Sequence, residues 1–544
     1  MDFAMQRMAR GRPVAEPVDH ILIVGGGTAG WLTAAYLARR LGTNRPDGVK
    51  ITLIESSEIG IIGVGEGTFP TIQTTMRAIG VDEAAFMKGA NATFKQGIRF
   101  VDWPAAPKGG QSRHYYHPFA NPRLLNGGVD LAPYWLMAKG SGSLADAVTL
   151  QEKVCEAGRG PKRIDDPQYG GPMAYAYHFD ASRLAGFLKD TAVALGVRRL
   201  LGNVQDVNLD EGGAIASLTT AEHGELKAGL YVDCTGFAGA LIGKALGAGW
   251  TDCGDTLFVD RALAMQVPYD RPDAPIATTT VSTAHEAGWT WDIALPERRG
   301  IGYVYSSRHT DDARAEEVLR GYIGSAAKSL TPRQLKLRIG YRETPWVKNC
   351  VAVGLSGGFL EPLESTGIVL IEAAAYLLAK AFPRSGGMEA PARLFNRAMT
   401  DRYLRAIDFL KLHYCLSRRT DNAFWTDNAD PQTIPETLRD LLSMWRERPP
   451  NAFDFPNLHE SFKWFNYQYV LYGMGFESDL AGNRSAYPHG ALAAQEFQKV
   501  QQASHRAVAA LPGHRALIDE VYRNGFRSPA PDAAAVDGVE ALER

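Results

Sequence analysis

The sequence predicts a mixed α/β fold: a doubly wound parallel sheet, an inserted antiparallel sheet, and a helical C-terminal subdomain. Three observations predict it. His20-Ile21-Leu22-Ile23-Val24 is a short apolar run with glycines directly after it. Residues 262–307 are rich in β-branched and aromatic side chains, the pattern of antiparallel strands. From Pro391 onward the spacing turns helical.

Each element follows from local chemistry. A continuous apolar run such as 20–24 suits a parallel strand covered on both faces. Trp31 to Ala38 then reads as a helix with an apolar face, and Lys50 to Glu55 as a second strand. Strand, glycine turn, helix and strand make the opening unit of a Rossmann-like sheet. Leu230 to Gly236 and Cys350 to Gly354 are apolar strands ending in glycine, placed to return to that sheet. Leu394–Leu416 has few breakers, and Pro435 stands at the start of a helix running to Trp445. The chain therefore divides into a disordered leader (1–18), a dinucleotide-binding module with the inserted sheet (19–390), a mostly helical substrate-binding subdomain (391–527) and a loose tail (528–544).

Composition narrows the function. The 544 residues carry 58 Lys plus Arg against 60 Asp plus Glu, so no basic excess points to nucleic acid. The five cysteines are scattered, with no CxxC or Cys/His cluster, so neither a zinc site nor a disulfide framework is indicated; a reducing cytoplasm fits. No apolar run is long enough to span a membrane, and the leader lacks the apolar stretch of a signal peptide.

Gly25-Gly26-Gly27-Thr28-Ala29-Gly30 matches G-x-G-x-x-G. Gly25 permits the turn, Gly27 lets the backbone approach a pyrophosphate, and Gly30 lets helix and strand pack closely. The helix N-terminus supplies N–H donors for the phosphates. Glu55, at the end of the second strand, suits ribose hydroxyls and disfavours a 2′-phosphate. There is no second copy of the motif, so one dinucleotide is expected, with FAD favoured. Ile61 to Thr68, with glycines at 63, 65 and 67, forms a strap expected to border the cofactor. Gly288-Trp289-Thr290-Trp291 places two indoles on one strand face, stacked side by side as a wall.

Phe359-Leu360-Glu361-Pro362-Leu363-Glu364-Ser365-Thr366-Gly367 matches F-x-x-P-x-x-S-x-G. With the glycine motif, the paired tryptophans and Lys95 in "NATFKQGIRF", the sequence resembles the flavin-dependent halogenases of the tryptophan-halogenase-like family, from about His20 to about Phe476. The resemblance implies non-covalent FAD, delivered reduced by a separate flavin reductase. O2 and chloride or bromide then yield hypohalous acid, which crosses a tunnel to a separate substrate pocket. It implies Lys95 and Glu364 as catalytic residues, and Thr366 with Gly367 as the halide-binding pair. The cofactor set it implies adds Ile62, Val64, Gly67, Val204, Leu355 and Ile368 to the glycine-motif residues. Trp289 and Trp291 become a barrier between substrate and flavin, with Ile293 also matching; the proline of the family pattern falls later, at Pro296. His117, Phe119 and Trp464 are the implied substrate-binding residues, and a homodimer is implied.

The chemistry suits these residue types. A lysine ammonium polarises hypohalous acid by hydrogen bonding, or a free amine forms a haloamine. A carboxylate stabilises the cationic ring intermediate and accepts its proton. No adjacent Tyr-Tyr pair follows residue 400, which points away from free tryptophan and toward another indole-like ring. The alternatives are a flavin monooxygenase hydroxylating an aromatic, or a catalytically silent FAD-binding protein.

Overall fold

Ile21 to Val24 have no polar side chain to offer water, and all four are buried. In the computed structural model, which describes residues 16–58, 60, 65–138, 142–456 and 460–529, strand β1 (His20–Val24) lies between two parallel neighbours. Gly25 turns the chain into helix α1 (Thr28–Leu41), which leads to β2 (Lys50–Glu55). The six-stranded sheet runs, edge to edge, Arg198–Leu201, β2, β1, Leu230–Asp233, Cys350–Ala352 and Trp346–Val347. Every pair is parallel except the last. The two later strands expected to return to this sheet do so.

Gly25 has φ +116°, and a Cβ there would stand 2.2 Å from the Cys234 carbonyl oxygen. Gly25→Ala should therefore displace the turn, cost more than about 1 kcal/mol of stability and abolish dinucleotide binding. Denaturant melts and bound-cofactor stoichiometry check both. Full cofactor retention in the variant would contradict the assignment of the turn.

The antiparallel sheet extends beyond 262–307. Short strands β3 (Gly65–Gly67) and β4 (Thr93–Lys95) come first in the chain, then β5 (His114–Pro118), β6 (Ala176–Asp180) and β7 (Gly288–Ala294). The seven-stranded sheet runs Arg333–Lys336, Arg261–Pro268, Arg298–Tyr305, β7, Thr280–His285, Gly97–Val101 and β5. Its two last strands come from far upstream in the chain. They join through a parallel pairing of Thr280–His285 with Gly97–Val101, which no local pattern announces. All seven residues of β7 are buried. A separate small sheet places β6 between β3 and β4, with His178 opposite both Gly67 and Thr93, and Lys95 opposite Ala176.

The helical part includes α2 (Thr366–Lys380), α3 (Glu389–Cys415), Glu436–Trp445, α4 (Trp464–Gly473), Gly490–Ala510 and His514–Asn524. Helix α3 starts two residues before Pro391 because proline is tolerated in a first turn, where its missing N–H has no partner to lose. Pro435 caps its helix as expected. One apolar core runs through the parallel sheet, the antiparallel sheet and these helices. Residues 1–15 of the leader, 530–544 of the tail and Ile61–Val64 of the strap, with Ile62 and Val64, lie outside the described residues. Ser528, where the tail was expected to begin, donates its hydroxyl to the Asp166 carbonyl oxygen at 3.0 Å. No helix among the described residues is long and apolar enough to cross a membrane.

Candidate active site

The residues expected to hold a dinucleotide converge at the carboxyl ends of the parallel strands. Helix α1 begins without a side-chain cap at Gly27, and Trp31 N–H already bonds the Gly27 carbonyl. The helix itself therefore leaves the N–H groups of Thr28, Ala29 and Gly30 unpaired. A Cβ at Gly27 would meet nothing within 4 Å, so there is room for a phosphate. Gly30 has no such room: a Cβ there would fall 1.9 Å from the Gly25 carbonyl oxygen. Glu55 is held in place by Trp31 Nε1, which donates at 3.1 Å, and by Arg199 Nε at 2.6 Å. Val204 follows the strand whose end, at Gly202 N–H, donates to the Glu55 carbonyl. Gly354, beside Leu355, packs so near Ala29 that a Cβ would come within 2.7 Å of it. Ile368 is buried in the first turn of α2. An open glycine turn with free N–H donors fits a dinucleotide.

Behind this edge lies a buried polar cluster. Lys95 ends β4 with no exposed surface. Its Nζ donates to Ser365 Oγ at 2.8 Å and stands 5.2 Å from the Phe119 ring centroid. A Cβ at Gly67 would lie 2.9 Å from that Oγ and 3.0 Å from Nζ, so the last strap glycine makes room for this contact. Burial pushes the lysine down to about 7, with Glu364 partly opposing. Ser365 has φ +56° and precedes α2 without capping it, because its hydroxyl is turned to the lysine. Thr366 opens α2. Its Oγ1 is buried without a hydrogen-bond partner among the described residues, and a Cβ at Gly367 would meet nothing within 4 Å. An orphan hydroxyl at a helix N-terminus is chemically suited to an anion.

Glu364 sits in the one-turn helix Pro362–Glu364 and is fully buried. His117 Nδ1 reaches its Oε2 at 2.9 Å, and His413 Nε2 reaches its Oε1 at 3.0 Å. Burial alone would raise its pKa. The two imidazoles outweigh that and hold it at about 2. Phe119, Phe69, Phe462 and Phe409 form a chain of ring contacts, with centroids 5.8, 5.4 and 3.9 Å apart, alongside these groups.

Trp289 and Trp291 share one face of β7 and are both buried, but they do not stack side by side. Their rings meet edge to face, centroids 6.4 Å apart at 62°. The offset follows from their partners. Trp289 Nε1 donates to Glu361 Oε2 at 2.9 Å. Trp291 lies over Gly302, where a Cβ would come within 2.1 Å of its ring. Ile293 continues the face and touches Gly65, the start of β3.

A family model described as tryptophan halogenase matches residues 20–485. The chain belongs to the tryptophan halogenase family. A 7-chloro-L-tryptophan 6-halogenase from a Kutzneria species is 37% identical over 515 residues, 91% of this chain and 98% of that one. Among solved structures, a tryptophan halogenase from Shewanella frigidimarina superposes with TM-score 0.91 at 39% identity, covering 94% of this chain and 99% of its own. A flavin-dependent halogenase from a Brevundimonas species gives 0.81 at 34% identity, over 92% of this chain and 99% of its own. The chain is a flavin-dependent halogenase, and its mixed α/β architecture is that of the family.

In this halogenase the fold brings Lys95, Glu364, Thr366, His117 and Phe119 into one buried region. Trp464 is not joined to it. No hydrogen bond or ring contact links Trp464 to Lys95, Glu364 or His117 among the described residues; it is half-buried at the start of α4, packed on Phe465. The α4 residue that enters the cluster is Asn466, whose Nδ2 lies 2.9 Å from His117 Nε2. Sequence reasoning also missed Ser365, Glu361 and His413. Ser365 and Glu361 lay inside the quoted motif. His413 carried no signal, since a lone histidine among apolar helical residues reads as core.

Proposed function

We propose that this halogenase places a chlorine or bromine on an electron-rich, indole-type ring, delivering the halogen through Lys95. The observation that carries the reading is a fully buried lysine set between the strap glycine Gly67 and the carboxylate Glu364. Such burial is costly, and here it leaves the amine with one hydroxyl partner, Ser365, and the Phe119 ring beside it.

Gly25, Gly27, Thr28, Ala29, Gly30, Glu55, Gly67, Val204, Leu355 and Ile368 would hold FAD, with Ile62 and Val64 completing the strap. Reduced FAD, received from a separate reductase, would supply two electrons to O2, so that with halide and a proton one oxygen atom leaves as hypohalous acid, the other as water, and the flavin is left oxidised. Thr366 and Gly367 hold the halide with a hydroxyl and helix N–H donors. Trp289, Trp291 and Ile293 fill the β7 face and keep the aromatic substrate from the flavin. Lys95 hydrogen-bonds the oxidant and polarises it toward the ring. Glu364 faces the developing ring cation and takes its proton, while the C–H electron pair returns to the ring. His117 and Phe119 line the ring's pocket. Two of the named relatives, from Kutzneria and Shewanella, are named as tryptophan halogenases, which supports an indole as the substrate type.

The test is incubation with FAD, a flavin reductase, bromide or chloride, and a panel of indoles, read by mass spectrometry. A halogen isotope pattern on an indole is expected. A gain of one oxygen, independent of halide, would replace this reading with hydroxylation.

A further inference from the structure

Two histidines touch Glu364, and a count of donors and acceptors shows that they are not equivalent. His117 Nε2 faces the Asn466 side-chain amide. Asn466 Oδ1 accepts from the Lys463 backbone N–H at 2.7 Å, so Nδ2 is the end that faces the ring. Nδ2 can only donate, so His117 Nε2 accepts, and the ring's one proton sits on Nδ1 and is given to Glu364. One proton on this ring satisfies both of its neighbours. His413 differs. Its Nδ1 lies 2.8 Å from the Phe409 carbonyl oxygen, which can only accept, so Nδ1 carries a proton. Its Nε2 faces Glu364 Oε1. Both nitrogens of His413 thus point at acceptors, and a second proton is held between Nε2 and the carboxylate.

We propose that His413 is a positioning residue that keeps Glu364 ionised and aimed, so that a glutamate–histidine ion pair is the unit that meets the ring cation. The proposal rests on the role given to Glu364 above. Four further titratable groups bear on this pair. Lys95 faces Glu364 from β4, His117 and Tyr115 from β5, and His413 from α3. Tyr115 is kept neutral by burial. Glu361 is the further acidic group that His413 faces. Phe100, Phe409 and Trp103 lie 4.9, 5.2 and 6.1 Å from the His413 ring and shut it off from water. Without the imidazolium, desolvation would push the Glu364 proton affinity up. The residue would then be protonated, and unable to accept the ring proton, in mildly acidic solution.

The test uses the full-length enzyme with FAD. His413→Gln keeps a donor toward Glu364 but no charge; His413→Phe removes both. Melting temperature and bound flavin control for folding. For each variant, halogenation at pH 5 relative to pH 7 should fall about tenfold further than in the unaltered protein. An equal loss at every pH in folded, flavin-loaded variants would make His413 merely structural and overturn the proposal. An infrared spectrum of the unaltered protein, with the Glu364 band assigned by difference from Glu364→Gln, gives a second arm that needs no His413 variant. An ionised carboxylate at pH 6 supports the proposal and a protonated one overturns it. Full halogenation by Glu364→Gln would instead remove the role of Glu364 itself, a separate failure.

Discussion

Lys95→Ala is expected to abolish halogenated product, by about a thousandfold or more, while reduced flavin and oxygen continue to disappear. The proposed halide pair, the proposed tryptophan barrier and the glycine turn do not depend on this side chain. The oxidant should still form and should be recoverable with an external trap. Continued halogenation of the indole by the variant would remove Lys95 from delivery. The pH dependence carries a second reading. Burial holds the amine at about 7. If its ammonium polarises the oxidant, single-turnover halogenation falls as pH rises through about 7; a rise over that range would assign the free amine instead. Stability should move the other way from activity. A lysine whose folded pKa lies below its unfolded value binds fewer protons when folded, so its charging cost grows as pH falls through the unfolded value and is complete below about 7. Lys95→Met should therefore raise stability at neutral pH, by a few kcal/mol. Denaturant melts at pH 7 check this, and a drop in stability would contradict it.

Glu364→Gln should lower halogenation by about a hundredfold, again with the oxidant still made. Here stability should fall as well. The new amide keeps a single oxygen, so it can accept from only one of the His117 and His413 donors that now meet carboxylate oxygens at 2.9 and 3.0 Å. A buried donor left without an acceptor costs about 1–3 kcal/mol. Lys95→Met, which lacks the amine as Lys95→Ala does, and Glu364→Gln should thus share a loss of product and differ in the sign of their effect on the melt. A general loss of packing would not produce that pair of signs.

Much of this was legible because it is local. The turn at Gly25, the apolar run of β1 and the strap glycines each declare a backbone need within a few residues. What was not legible is what the chain assembles across distance. Gly97–Val101 and β5 join the inserted sheet through a parallel contact with Thr280–His285, a partner nearly two hundred positions away. His117 lies 247 residues before Glu364 and His413 lies 49 after it. Neither separation leaves a periodic trace. The edge-to-face setting of Trp289 and Trp291 depends on Glu361 and Gly302 rather than on their own spacing. Trp464 was implied by the resemblance, but the residue of its helix that meets His117 is Asn466.

The tryptophan wall and the carboxylate clamp rest on the same two supports. Glu361 and Glu364 stand a single turn apart. Their partners on α3, Tyr414 and His413, are consecutive: Tyr414 donates its hydroxyl to Glu361 Oε2, where Trp289 also donates. A small roll of that helix would slacken both at once. Spillage of oxidant and stalling of turnover should therefore arise as one lesion, and repair of either should bring back the other.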